Sequence, residues 1–486
     1  MKKLMTIAAI FGQVLFFSCL VLGEKSFLKE KAMETPTLFV HPVPREIRDN
    51  GLYRNDDFSV QVRLAGGQQP GPWQDLFAWR VRVNRYNPSD VSMVQFDFRG
   101  TVEVRVTPNN GDVNAAVIRP LSKNIRPEIR ENSVLFTMDE PAKLSVEING
   151  DRSRNLHLFA NPPETEKPSP DDPDVVYYGE GVHLPPALGF FFIPSNKTVY
   201  LAPGAILRGK IAGYKTENAR VIGRGVVLQP ERGFQLDFCK NIEIDGITVI
   251  NHKHYGVFGG QSTGIKIRNV KTFSSQIWAD GLDFMSCSDV TIEDVFMRTS
   301  DDAIAIYAHR WDYYGDAKNY VVKDAVLWPD TSHPINIGLH GDTSSEGNVI
   351  EKLRFSNIDI LEHNEKIECY QGCMAFSVGD HNLVRDVVFD NIRIEEITTG
   401  MLCSLRIFFT PEWHTGPGRG IENIVFKNIF LDYTVPPGAS RIHGYDKDRL
   451  VKNVRFENIV IKGERAALFE EANINIEQFA QDIGIN

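Results

Sequence analysis

Three aspartates and a histidine carry the chemistry that this sequence offers. Asp280 follows Trp278 and precedes Asp283; Asp301 and Asp302 are adjacent; His333 stands between Ser332 and Pro334. Hydrolysis of a glycosidic bond needs a proton donor for the leaving oxygen and a carboxylate that activates water or attacks carbon. Three acids supply both roles, because mutual repulsion lets one carboxyl keep its proton while another stays ionised. An isolated Asp-Asp pair more often bonds backbone in a turn. The catalytic reading therefore depends on whether the chain brings Asp280, the pair and His333 together.

The elements that would do so are repeats. From about residue 175 a unit of pattern apolar-x-apolar-x-(Asn/Asp/Gly)-apolar-x-apolar recurs, with Gly246, Asn269, Asp294, Asp324, Asn357, Asn391, Asn428 and Asn458 at its fifth position. The steps between them are 23, 25, 30, 33, 34, 37 and 30 residues, a repeat with a variable loop. Alternation of period two makes each half-unit a strand with one inward apolar face. The polar mid-unit residue suits a bend, where its side chain can bond local backbone. Such stacked strand pairs predict an all-β, right-handed parallel β-helix; eight similar units without hairpin turns argue against a large sandwich. Asp280 lies eleven residues after Asn269, Asp301 and Asp302 seven and eight after Asp294, and His333 nine after Asp324. Stacking would bring them side by side. Neighbours on a strand point to opposite faces, so Asp301 and Asp302 can share a cleft only at a strand end or bend.

Ahead of the solenoid, residues 58–64, 79–83, 102–106 and 143–148 alternate apolar and polar between turn residues, which predicts a β-sandwich over 24–163. A Pro-rich, acidic linker is expected over 164–175, the catalytic β-helix over 176–463 and a capping segment, with a short helix, over 464–486. Lys2 and Lys3 before an apolar run to Leu22 predict a signal peptide over 1–23 and a secreted or periplasmic protein. Ser18-Cys19 resembles the end of a lipobox, so lipid anchoring at Cys19 is the weaker alternative, apolar residues following the cysteine. No later segment is long and apolar enough for a membrane span.

The formal charge of −10 becomes −12 once residues 1–23 are removed, with 51 basic against 63 acidic groups. So acidic a chain is a poor general partner for nucleic acid or anionic lipid. A glycan substrate and a monomer are expected. No Cys/His cluster has zinc-site spacing, and neither metal nor cofactor is expected. Five cysteines remain after export, an odd number, of which Cys369 and Cys373 could pair locally. Trp278, Tyr307, Trp311, Tyr313, Tyr314, Trp328 and Trp413 lie near the motifs, where aromatic faces can stack on sugar rings; for any one of them core packing is as good a reading. His254, His309, His340, His363 and His414 fall in the same region by phase.

Residues 279–281 with 300–304 resemble the aspartate motifs of the pectinase family, glycoside hydrolase family 28. Residues 332–338 resemble its histidine motif and 405–407 its arginine motif. The chain also resembles the dextranase and isopullulanase family, glycoside hydrolase family 49, through 58–66, 116–122, 199–205 and 325–328. The resemblance implies a cofactor-free, inverting β-helix hydrolase. In it Asp301 would be the general acid, Asp280 and Asp302 would hold and activate water, His333 would support the acid's protonation, and Arg406 would bind substrate. Trp278, Tyr307 and Trp328 are the aromatic substrate-binding candidates. Three positions depart from the pectinase pattern: Ser332 and Pro334 replace flanking glycines, and Phe408 stands where a lysine is usual, which removes a cation from a uronate site. A β-helix lyase would use calcium and an arginine base, and the acids here lack a calcium-loop pattern. A non-catalytic glycan-binding protein would bind without turnover.

Overall fold

Alternating burial along the strands sorts the chain into two cores. The computed structural model describes residues 35–66, 69–186 and 188–486; the expected signal peptide and Cys19 lie outside them. In Phe58–Ala65 the inward Phe58, Val60 and Val62 are buried while Ser59 is exposed. This strand, with Gln74–Leu76, Thr101–Pro108, Ser133–Met138 and Glu128–Arg130, forms a five-stranded antiparallel sheet. A second sheet orders Thr37–Val40, Ser89–Arg99, Leu156–Asn161, Ala142–Ile148 and Ala116–Arg119, with Trp79–Val83 also on Ser89–Arg99. Val62, Val104, Phe96, Leu144 and Leu158 belong to the buried apolar cluster between these sheets.

From Val175–Tyr178 onward the pairing is mainly parallel, in sheets of nineteen and eleven strands. A coil supplies three strands: Lys240–Asp245, Thr248–His252 and Val257–Gly260, then Thr263–Arg268, Lys271–Ser274 and Leu282–Met285 directly above them. The repeats stack in register, so Ile242, Ile265, Val290, Tyr320, Leu353, Val387, Ile424 and Val454 form one inward column. Phe355, Phe389, Phe426 and Phe456 stack with centroids 4.7, 5.2 and 4.9 Å apart. The expected bend is equally regular. All eight fifth positions have positive φ, 52–59° at the Asn and Asp residues and 85° at Gly246. Short polar side chains tolerate this conformation because they bond locally, and Asn458 passes an amide hydrogen bond to Asn428 at 2.8 Å.

The sandwich and the solenoid form one compact unit, Pro36–Asn486. Residues 162–174 carry no strand, yet they do not separate the two parts. Trp79, Val81, Val83 and Phe159 from one side share a buried cluster with Phe273, Phe296, Val326 and Trp328 from the other. Buried ion pairs lock the seam: Arg224 with Asp97 at 3.1 Å, and Arg119 with Glu395 at 2.6 Å.

Three expectations are corrected here. Trp328 is 1% exposed inside this seam, with the Arg298 guanidinium 4.0 Å from its ring centre, so it packs between the domains and does not reach a sugar. The last coil is closed by strands, not by a helix: Glu464–Ala466 folds back antiparallel on Val451–Ile461, and Ala480–Ile485 continues the ladder in parallel. Ile483 and Ile485 alternate toward the core, a period of two that a helix could not use. Cys369 and Cys373 are both free thiols, the first exposed and the second buried, so they face different surroundings and do not pair. Among the described residues no helix is long and apolar enough to cross a membrane.

Candidate active site

One corner of three successive coils holds the acids. Asp280 sits in the bend between Lys271–Ser274 and Leu282–Met285, Asp301 and Asp302 in the bend between Phe296–Thr299 and Ile304–Tyr307, and His333 between Ala317–Pro329 and Ile335–Ile337. Backbone hydrogen bonds fix the register of the corner: Gly281 N–H donates to the Asp302 carbonyl at 2.9 Å and Ala303 N–H to the His333 carbonyl at 2.8 Å. A Cβ on Gly281 would lie 2.5 Å from the Ala303 carbonyl oxygen, so the residue after Asp280 must be glycine for the coils to close. Because the pair lies at a bend, both carboxyls turn to one side. Asp280, Asp301 and Asp302 line a single cavity of about 540 Å³, whose walls include Trp278, Tyr307, Arg310, His340, Tyr370 and Trp413.

Asp302 is the most heavily hydrogen-bonded of the three. Oδ1 accepts from the Ser332 hydroxyl at 2.6 Å, the His333 amide at 3.1 Å and His333 Nδ1 at 2.7 Å; Oδ2 accepts from Asn336 at 2.8 Å and the Tyr307 hydroxyl at 3.3 Å. Burial alone would raise its pKa, but the His333 charge and these donors bring it down to about 2, so it is ionised. His333 Nε2 meets the Tyr370 carbonyl. With an acceptor at each ring nitrogen the imidazolium is the satisfied form. Burial works against that charge, but the adjoining Asp302 carboxylate outweighs it and raises the His333 pKa. His333 therefore bonds Asp302, whereas the resemblance implies support for Asp301.

The other two carboxyls shift the opposite way. Burial, reinforced by Asp301, Asp283 and Asp302, pushes Asp280 well above its ordinary value. Burial and the neighbouring Asp302 also raise Asp301, with Arg85 opposing. Asp301 Oδ2 accepts the Trp278 amide at 3.0 Å and Arg85 at 2.8 Å. Asp283, buried behind Asp280, is pushed up to about 7 by burial. The site thus sets one carboxylate of lowered pKa beside two carboxyls of raised pKa, a separation of the kind acid–base chemistry uses.

Of the expected substrate-binding residues, Trp278 is 63% exposed on the cavity wall and Tyr307 is buried at its floor, holding Asp302. Arg406 is not a wall residue. It lies two coils beyond His333, half-buried, and donates to the Cys369 carbonyl at 2.6 Å, bracing the turn that presents Tyr370. Trp413, one of the aromatics near the motifs, and His340, placed in this region by phase, line the cavity. His363 is buried, its ring Nδ1 on the Ser332 carbonyl at 3.1 Å. Sequence reasoning missed Arg85, Tyr86, Arg310, Glu365 and Tyr370 on the cavity wall. Arg310 was readable in principle, since it follows closely on Ile304–Tyr307, the strand that leaves the Asp pair. Arg85 was not, since it belongs to the other domain.

Known proteins resemble this chain in sequence and in fold. The model of "Glycosyl hydrolases family 28" matches residues 196–478. An exopolygalacturonase of Arabidopsis thaliana is 23% identical over 209 residues, covering 41% of this chain and 44% of its own. A polygalacturonase of Juniperus ashei is 22% identical over 229 residues, 44% of this chain and 40% of its own. The chain thus spans less than half the length of these curated relatives. Dex49A from Penicillium minioluteum superposes with a TM-score of 0.53 at 15% identity, covering 92% of this chain and 96% of that one, a likeness of fold. With the family model matching more than half of its length and the acid corner in place, the chain belongs to glycosyl hydrolases family 28.

Proposed function

We propose that this protein is an exported glycoside hydrolase that cuts a polysaccharide with inversion of configuration. The observation that carries the reading is the single cavity in which ionised Asp302 faces Asp280 and Asp301, both with raised proton affinity. In this reading Asp302 takes a proton from a water oriented by Asp280. The water oxygen attacks the anomeric carbon as Asp301 passes its proton to the leaving oxygen on the other face. Trp278 and Trp413 offer aromatic faces for sugar rings. The substrate classes are a polygalacturonate or a dextran-like glucan, in line with the names of the relatives and with the resemblance. The export reading rests on Lys2, Lys3 and the apolar run after them.

The test is the mature chain on a panel of plant and microbial glycans, with NMR of the first products. New reducing ends of inverted anomeric configuration are expected. Retained configuration would remove the mechanism, and unsaturated ultraviolet-absorbing products would replace hydrolysis with elimination. A narrower expectation concerns His333. Its charge and hydrogen bonds lower the Asp302 pKa, so His333→Gln should raise it. Since the base must be ionised, the acid limb of kcat/KM should move to higher pH by about one unit. An unmoved limb would separate His333 from the base.

A further inference from the structure

Asp301 has a partner that the solenoid does not supply. The turn between Trp79–Val83 and Ser89–Arg99 of the sandwich projects over the acid corner, and Arg85 at its tip donates to Asp301 Oδ2 at 2.8 Å. The Arg85 side chain is 15% exposed and that of Asp301 17%, so the pair is shielded from bulk water. The turn is built to hold this position. Asn84, at φ 60°, accepts the amides of Tyr86 and Asn87 on its side-chain oxygen, each at 3.0 Å. The Arg82 amide donates to Asn251 of the solenoid at 2.8 Å. A second Arg85 nitrogen meets the Tyr86 hydroxyl at 3.2 Å, and Lys366 of the solenoid lies 5.3 Å over the Tyr86 ring. The seam of buried apolar side chains beneath makes the approach of the two domains rigid rather than transient.

We propose that Arg85 is a positioning residue of the hydrolytic site: carried on the sandwich, it fixes the Asp301 carboxyl over the acid corner, so the N-terminal domain is part of the catalytic machinery. The inference rests on the hydrolase reading above. The groups that face Asp301 are Asp302 on its own bend, Asp280 and the Trp278 amide from the coil before, Ser332 from the coil after, Glu365 and Tyr370 from the next turn, and Arg85 from the sandwich. Among the described residues Arg85 is the cation that bonds the carboxyl. It favours the ionised form, so its loss raises the proton affinity of Asp301. A general acid must be protonated, and its deprotonation sets the alkaline limb, so that limb moves to higher pH when Arg85 is removed.

The experiment compares wild type, R85M and R85K as full chains, on the glycan that wild type cleaves, by kcat, KM and kcat/KM against pH, with thermal unfolding alongside. R85M is expected to move the alkaline limb up by about one unit and to lower kcat roughly ten- to a hundredfold through lost alignment, with KM changed less. R85K keeps the charge and should hold the limb near wild type, with kcat between the two. A role confined to holding the domains together would lower the unfolding temperature and leave the limb where it was; that result, or R85M within twofold of wild type in kcat, overturns the proposal. Should R85M not fold, R85Q, which keeps donors and loses the charge, carries the same expectation. If wild type cleaves nothing in the panel, the hydrolase reading fails and this inference with it. If wild type cleaves and R85M matches it, only the role of Arg85 fails.

Discussion

Asp302→Asn is expected to lower kcat by about three to four orders of magnitude, with KM and the fold little changed. Asp302 accepts hydrogen bonds from Ser332, two atoms of His333, Asn336 and Tyr307, and all of them favour the ionised carboxylate. An asparagine keeps the volume, but it has no charge to take a proton from water and its amide must face at least one of those donors. General-base removal costs about 10²–10⁴-fold, and the parallel loss of the His333 ion pair argues for the upper part of that range. The variant also removes the counter-charge of buried His333, so a lower unfolding temperature is expected beside the kinetic loss, with the apolar columns of the solenoid, which do not include Asp302, keeping the fold. Steady-state kinetics with circular dichroism decides the matter. A variant within tenfold of wild type would mean that another group activates the water.

Asp301→Asn is the second large effect, and it differs in kind. In the proposed mechanism Asp301 protonates the leaving oxygen, so its loss should cost about 10²–10⁴-fold on a natural glycosidic linkage. The loss should shrink sharply on an aryl glycoside whose leaving group departs without a proton. The alkaline limb of the pH profile should also vanish, because the group whose deprotonation creates it is gone. Asp302→Asn should be impaired on both kinds of substrate. If the two variants respond alike to the leaving group, the assignment of acid and base is wrong. Asp280 falls between these cases: burial and its acidic neighbours raise its proton affinity, and in the proposed reading it orients the water that Asp302 deprotonates.

These expectations depend on geometry that had two sources. The repeat and its mid-unit Asn or Asp were legible because a solenoid is local: each coil meets only its neighbours, and a period of two with a polar bend writes the inward column directly into the chain. The same regularity pointed to the acid corner, since Asp280, Asp302 and His333 fall at related phases of successive coils, and the backbone pairing of those coils sets them side by side. Phase does not say what covers the outside of a coil. Val326 and Trp328 alternate outward from Ala317–Pro329, and only the docking of the sandwich decided that this outward face is a dry seam and not a cleft. Arg406 likewise points outward, but two coils away, where it braces a turn. The partner of Asp301 comes from 216 residues earlier in the chain, a contact that no spacing rule reaches. Local periodicity fixed the ladder and the carboxyls on it; the meeting of two domains, a tertiary event driven by buried apolar surface, decided which charge faces the acid.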